Sequence, residues 1–160
     1  MKQFKHLRRE ALAKVNEPDM LIKAYEIARD AHNGQKRRGG EPYIIHPVAV
    51  AEMVDTIEQK QVALLHDVVE DTSVTLKQLR GYGFRSTVLR ALDHLTHREG
   101  EVYHDYIARL ANDPLAIVVK IADLTHNLSD LTVEKHKSRI TKYRLAEMFL
   151  RERLRSLLDL

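Results

Sequence analysis

The chain has 160 residues, 44% hydrophobic and 31% charged, which is ordinary for a globular protein and long enough to bury one real core. It contains no cysteine, excluding disulfide scaffolds, thiolate metal sites and cysteine nucleophiles. The formal net charge is only +3 and the basic residues are spread along the chain, so the concentrated footprint of a nucleic-acid binder is missing.

In chain order, "MKQFKHLRRE" opens basic, but Glu10 and Glu17 follow soon after and argue against a mitochondrial presequence. There is no signal-peptide core and no apolar run near the ~20 residues of a membrane span, so the cytoplasm is the expected compartment. Pro18-Asp19 opens a helix through "MLIKAYEIARDAHN", with Leu21, Ala24, Tyr25, Ala28 and Ala31 or His32 on one stripe. "GQKRRGGEPY" is a loop, and its run Lys36, Arg37, Arg38 suits a small anionic ligand. Pro47 fits the first turn of a helix through "VAVAEMVD", and a helix carrying "HDVVED" follows after a short break. Thr75 starts a short helical turn that ends near Gly81 and Gly83. "STVLRALDHLT" and "YHDYIARLA" are further helices, the second stopped by Asn112-Asp113-Pro114. Pro114 starts "LAIVVKIADLTHNLSDL". "LAIVVKIA" alone is compatible with a buried strand, but its continuation and the lack of partner strands favour helix. A last amphipathic helix covers roughly 137–158. With six glycines, four prolines, no repeat and no linker, the expected fold is an all-α, single-domain bundle.

The stretch "VALLHDVVEDT" sets His66, Asp67, Glu70 and Asp71 among apolar residues. At about 100° per residue these four fall within an arc of roughly 140° and share one helix face. Three carboxylates so close repel, and desolvation beside the apolar flank adds to the cost; a bound cation removes both problems. The plainer alternative is a solvated face with capping residues, since Asp71-Thr72-Ser73 resembles a helix exit. "VVKIADLTHNL" repeats the pattern, with His126 and Asn127 three and four residues after Asp123. "YIIHPVAV" supplies His46, and a lone histidine there is more often a core or capping residue. Together His46, His66, Asp67 and Asp123 form a two-imidazole, two-carboxylate set from three helices, suited to Mn²⁺, Fe²⁺ or Zn²⁺.

The order "AHNGQKRRGGEPYIIHP", "ALLHDVVEDTSVTL", "VVKIADLTHN" resembles the HD superfamily. Specifically, it is similar to the hydrolase domain of RelA/SpoT-type alarmone enzymes and to the free-standing small alarmone hydrolases, over roughly residues 20–131. The resemblance implies that His46, His66, Asp67 and Asp123 ligate a divalent metal, Mn²⁺ first among them, and that Glu70 and Asp71 serve the attacking water. It implies that Arg37 packs on a guanine ring, that Arg38 is a neighbouring basic contact, and that Asn127 lies close to the nucleotide. Physically, such a metal acidifies bound water, a carboxylate accepts its proton, and a guanidinium suits both phosphate and base. Without the neighbouring motifs, a solvated loop would be the simpler reading of Lys36 to Arg38.

The chain departs from the family pattern at Ser129, where an arginine is usual, and at Gly39, where serine or a similar polar residue is usual. "HREGEVYHDYIARLANDP" also follows its own course, and the His46–His66 connection is a few residues shorter than in long bifunctional enzymes. These departures bear on the nucleotide pocket and leave the ligand set intact. The expected activity is a Mn²⁺-dependent 3′-pyrophosphohydrolase of guanosine tetra- or pentaphosphate, with no room for a synthetase domain. The alternatives are an HD hydrolase of another phosphorylated nucleotide or phosphomonoester, and a nucleotide-binding regulatory module without turnover. The expected partner is a small-molecule nucleotide, with no nucleic acid and no membrane; the oligomeric state is open. His94, His97, His104 and His136 read as surface or structural residues, and Tyr103 and Tyr106 as packing.

Overall fold

The described chain folds into helices, some of which begin at a side chain that accepts from a first-turn amide. In the computed structural model, which describes residues 17–158, the helices are α1 (Glu17–Ala31), α2 (Ile45–Glu52), α3 (Ile57–Leu65), α4 (Val68–Asp71) and α5 (Leu76–Tyr82), then α6 (Ser86–Leu95), α7 (Tyr103–Leu110), α8 (Pro114–Ser129) and α9 (Val133–Leu157). The basic N-terminal segment lies outside the described residues. Thr56 and Thr75 build reciprocal capping boxes with Gln59 and Gln78, starting α3 and α5. Gly83 ends α5 at φ +99°, a left-handed conformation that glycine adopts without penalty. Among the described residues no strand forms beyond an isolated bridge between Lys36 and Pro42, and no helix is long and apolar enough to cross a membrane. The fold is all-α.

Two helices organise the interior. α3 packs on α1, α2, α6 and α8, and α8 packs on α2, α3, α6 and α9. Val62, Ala63, Leu64 and Leu65 of α3 meet Ile117, Val119, Ile121 and Leu124 of α8 in the same core. Burying each large aliphatic side chain contributes about 1.5–3 kcal/mol relative to leaving it exposed. Because neighbours cover α8 on several sides, "LAIVVKIA" is apolar nearly all round, which explains its strand-like look.

Three details differ from the sequence reading. On α1 the buried stripe is Met20, Ala24, Ile27 and Ala28, continued by His32 just past its end; Tyr25 stands 41% exposed and lines a shallow apolar groove with Leu21, Val48 and Leu64. The "HDVVED" stretch is not one helix. α3 ends at Leu65 and α4 starts at Val68, leaving His66 and Asp67 at the joint with right-handed backbone angles. The His66 ring there takes the Ala63 carbonyl, which the Asp67 amide would bond in a continuous helix. α9 begins four residues before Lys137, but His136 breaks its regularity (φ −133°, ψ 20°), so the regular helix runs from Lys137.

Asp113 sets the start of α8, and with it the register of everything α8 carries. Its carboxylate accepts from the Ala116 amide at 2.9 Å and from Arg90 Nε at 2.7 Å while 1% exposed. Asp113→Ala should lower unfolding stability by about 2 kcal/mol, a lost cap plus a lost charged partner. Urea unfolding of wild type and variant measures it.

Candidate metal centre

Three helical elements bring four side chains to one point. His46 stands at the second position of α2, held before Pro47. His66 and Asp67 occupy the α3–α4 joint, and Asp123 lies in the buried middle of α8. His46, His66 and Asp123 are each no more than 4% exposed, and one ligand atom from each lies within 4.8 Å of the others. His46 Nε2 is 3.1 Å from Asp123 Oδ1 and 3.6 Å from Asp67 Oδ2. His66 Nε2 is 3.1 Å from Asp67 Oδ2 and 3.6 Å from Asp123 Oδ1.

The donor chemistry fits a divalent cation. His66 Nδ1 lies 2.7 Å from the Ala63 carbonyl, which can only accept, so Nδ1 carries the proton. Whenever the ring is neutral, the Nε2 lone pair therefore faces the two carboxylates, 3.1 Å from Asp67 and 3.6 Å from Asp123. Burial opposes ionisation of Asp123 and Asp67. Lys120 beside Asp123 and His66 beside Asp67 outweigh it and hold both carboxyls below their ordinary range. Burial likewise works to lower the His66 pKa, yet Asp67 and Asp123 raise it well above the usual value. A cluster that otherwise draws a proton into this centre is one a metal can take over.

A further set of residues orients these four, and sequence reasoning missed most of it. Tyr43 Oη donates to Asp67 Oδ2 at 2.6 Å, Lys120 Nζ to Asp123 Oδ2 at 2.8 Å, and Asn127 Nδ2 to Asp123 Oδ1 at 2.6 Å. His126 Nδ1 lies 2.8 Å from His46 Nδ1. The available signals were a lysine three residues before Asp123 inside an apolar run and a tyrosine three residues before His46.

Glu70 and Asp71 extend from α4 at the solvent edge. The Glu70 Oε2 accepts from the His97 amide at 2.8 Å. That loop is clamped by Arg109, which donates to both Glu101 oxygens (2.7 and 2.8 Å) and to the Thr96 carbonyl (2.9 Å). Burial and then the like charges of Asp67 and Asp71 raise the Glu70 pKa, against the pull of the His97 amide; burial and Asp67 raise that of Asp71. Both carboxylates are therefore better proton acceptors than ordinary surface acids.

Beside the cluster opens a cleft of about 650 Å³, lined among others by Lys36, Arg38, Tyr43, His46, Asn127 and Tyr143. Arg37 also lines it, but its guanidinium is engaged: Nη2 pairs with Asp130 and Nη1 lies 3.3 Å from His126 Nδ1. Arg139 of α9 reaches the same cleft, a cation the linear sequence did not single out. Ser129 turns away, its hydroxyl donating to the His126 carbonyl at 2.6 Å. Of the histidines read as surface or structural, His94 Nδ1 meets the Arg109 carbonyl, His97 Nε2 the Glu101 carbonyl and His136 Nδ1 the Thr132 amide, and His104 is exposed. Tyr106 is buried and donates to the Leu95 carbonyl.

The HD domain family matches residues 24–149. The guanosine-3′,5′-bis(diphosphate) 3′-pyrophosphohydrolase of Vibrio cholerae is 40% identical over 145 residues, 80% of this chain and 20% of that protein. The bifunctional (p)ppGpp synthase/hydrolase SpoT of Escherichia coli is 43% identical over 125 residues, 69% of this chain and 18% of that protein. This chain thus spans about a fifth of the length of the curated relatives it matches. A solved metazoan ortholog of SpoT, described as hydrolysing ppGpp, shares the fold with a TM-score of 0.69 over 85% of either chain, at 23% identity. With the family's namesake His66-Asp67 pair at the heart of a buried His/Asp cluster between helices, this chain belongs to the HD domain family.

Proposed function

We propose that this chain forms one cytoplasmic HD hydrolase domain that removes pyrophosphate from the 3′ position of guanosine tetra- or pentaphosphate, with Mn²⁺ as its metal. The observation that carries the reading is the meeting of the His46/His66/Asp67/Asp123 cluster, the Glu70/Asp71 pair and a cationic cleft of nucleotide size. His46, His66, Asp67 and Asp123 would hold the ion, which supplies an acidified water and a polarised phosphoryl oxygen when bound. Glu70, fixed by the His97 amide, accepts the proton of the attacking water, with Asp71 beside it. The new bond joins water oxygen to the phosphorus attached at O3′, and the P–O3′ bond breaks. Pyrophosphate departs, and the 3′-oxygen takes up a proton to give the nucleoside 5′-polyphosphate. Lys36, Arg38 and Arg139 offset the phosphate charge along the cleft, and Asn127, which also lines it, keeps Asp123 oriented.

A second reading keeps the chemistry and changes the substrate to another phosphorylated nucleotide or a phosphomonoester. Two observations favour it: Ser129 brings no charge, and Asp130 partly neutralises Arg37. The retained Glu70 and Asp71 count against a module without turnover. Incubating manganese-loaded protein with 3′-, 5′- and doubly phosphorylated nucleotides, with chromatography of products, decides between them. Release of pyrophosphate from guanosine 3′-pyrophosphates supports the first reading; inert alarmone with another nucleotide cleaved replaces it by the second. Arg139→Ala should raise the substrate KM about tenfold, the loss of one charge-assisted contact, with manganese content unchanged. Steady-state kinetics beside metal analysis checks both halves of that expectation.

A further inference from the structure

Arg37 sits where the family resemblance puts a base-stacking arginine, yet its donors are engaged by side chains at the C-terminal end of α8. Nη2 pairs with Asp130, and Nη1 lies 3.3 Å from His126 Nδ1. The same His126 Nδ1 lies 2.8 Å from His46 Nδ1. A guanidinium only donates, so the His126 nitrogen facing it must be an acceptor. His46 Nδ1 must then carry the hydrogen between the two rings, whether His46 is neutral or charged. In the neutral ring, that leaves the lone pair on Nε2, the atom 3.1 Å from Asp123 and 3.6 Å from Asp67.

We propose that Arg37 and His126 are positioning residues for the metal site: Arg37 keeps His126 Nδ1 an acceptor, and His126 holds the His46 ring with Nε2 turned to the ion. The inference rests on the metal site argued above and adds to it a connection that crosses 80 residues between the rings and 89 between arginine and histidine. Ligand-orienting partners of this kind commonly set metal affinity. Asp130 has its own part, because its carboxylate anchors the guanidinium through Nη2, one helical turn beyond His126.

The sign of the effect separates this role from simple electrostatics. Removing a positive charge near a cation site strengthens cation binding. Loss of the orienting contact weakens it. Metal-free wild type, Arg37→Met, Arg37→Lys and Arg38→Met are titrated with Mn²⁺, reading free ion by electron paramagnetic resonance. Arg37→Met should bind roughly tenfold to hundredfold more weakly. Arg37→Lys, with a single donor nitrogen for two partners, should recover part of the loss. Arg38→Met, which removes the neighbouring charge and, among the described residues, no hydrogen bond to His126, should bind as tightly as wild type or more so. Wild-type uptake with an unchanged or tighter Arg37→Met constant sinks the positioning role alone, whereas wild type that takes up no manganese sinks the metal site and this role with it. A second measurement needs no variant. Long-range ¹H–¹⁵N spectra of the metal-free protein should show His126 protonated on Nε2 and His46 on Nδ1, and a proton on His126 Nδ1 overturns the inference.

Discussion

Asp67→Ala is expected to abolish stoichiometric manganese binding and turnover while leaving helicity largely unchanged. Its Oδ2 lies within 3.6 Å of both imidazole Nε2 atoms, as does Oδ1 of Asp123, so its loss removes one of the two carboxylates that face both histidines. The substitution is also gentle on the fold. Asp67 precedes α4 without making a side-chain cap, and its side chain is 21% exposed, so water can enter the space it leaves. Asp123→Ala would be a poorer test. It strands the mostly buried Lys120 ammonium, whose ion pair with Asp123 is 2.8 Å long, and an uncompensated buried charge destabilises the whole domain. Metal titration with circular dichroism on the same samples separates lost ligation from lost folding. Manganese bound to Asp67→Ala at wild-type affinity would remove Asp67 from the ligand set.

Glu70→Gln carries the second large effect. Glutamine keeps an oxygen for the His97 amide, 2.8 Å away in the wild type, so shape and loop contact persist and the proton acceptor disappears. Turnover should fall by about 10²–10⁴-fold with manganese uptake unchanged. The pH profile adds a signature. In the proposed role Glu70 works as the carboxylate, and its pKa is raised by burial and by Asp67 and Asp71. Activity is therefore present above that raised value and lost as pH falls through it, at a higher pH than an ordinary glutamate would give. The glutamine variant should lack this acid limb. Near-normal turnover with the limb retained would transfer the role, Asp71 being the next carboxylate to test in the same way.

How much of this could be read from the chain follows from the range of the interactions involved. The helices were legible because their causes are local. Pro114 follows the Asp113 cap, Thr75 caps its own helix, Gly83 stops it, and apolar spacing repeats within a few residues. The residues proposed as ligands could be picked out because the pairs that draw attention to them are close in sequence, His46 before Pro47, His66 beside Asp67, and Asp123 three residues before His126. Local pattern also led astray where neighbours decide. Tyr25 fits the α1 stripe by spacing, but the groove beside α2 and α3 leaves it partly in solvent.

Only the tertiary structure decided which atoms face which. Asn127 could be placed near the site from sequence, but its amide is already spent on Asp123. Arg37 could be placed at the cleft, but Asp130 and His126, some 90 residues away, determine where its donors point. Lys120 reads as an oddity in an apolar run until α8 packs among its neighbours and leaves Asp123 as its ion-pair partner. Side-chain direction at such positions is set by which helices pack together and by the high cost of a buried polar atom without a partner, and neither is a property of the residues near it in sequence. Helix existence and donor type were therefore written in the chain; the assignment of each donor to its acceptor came with the packing of α2, α3 and α8.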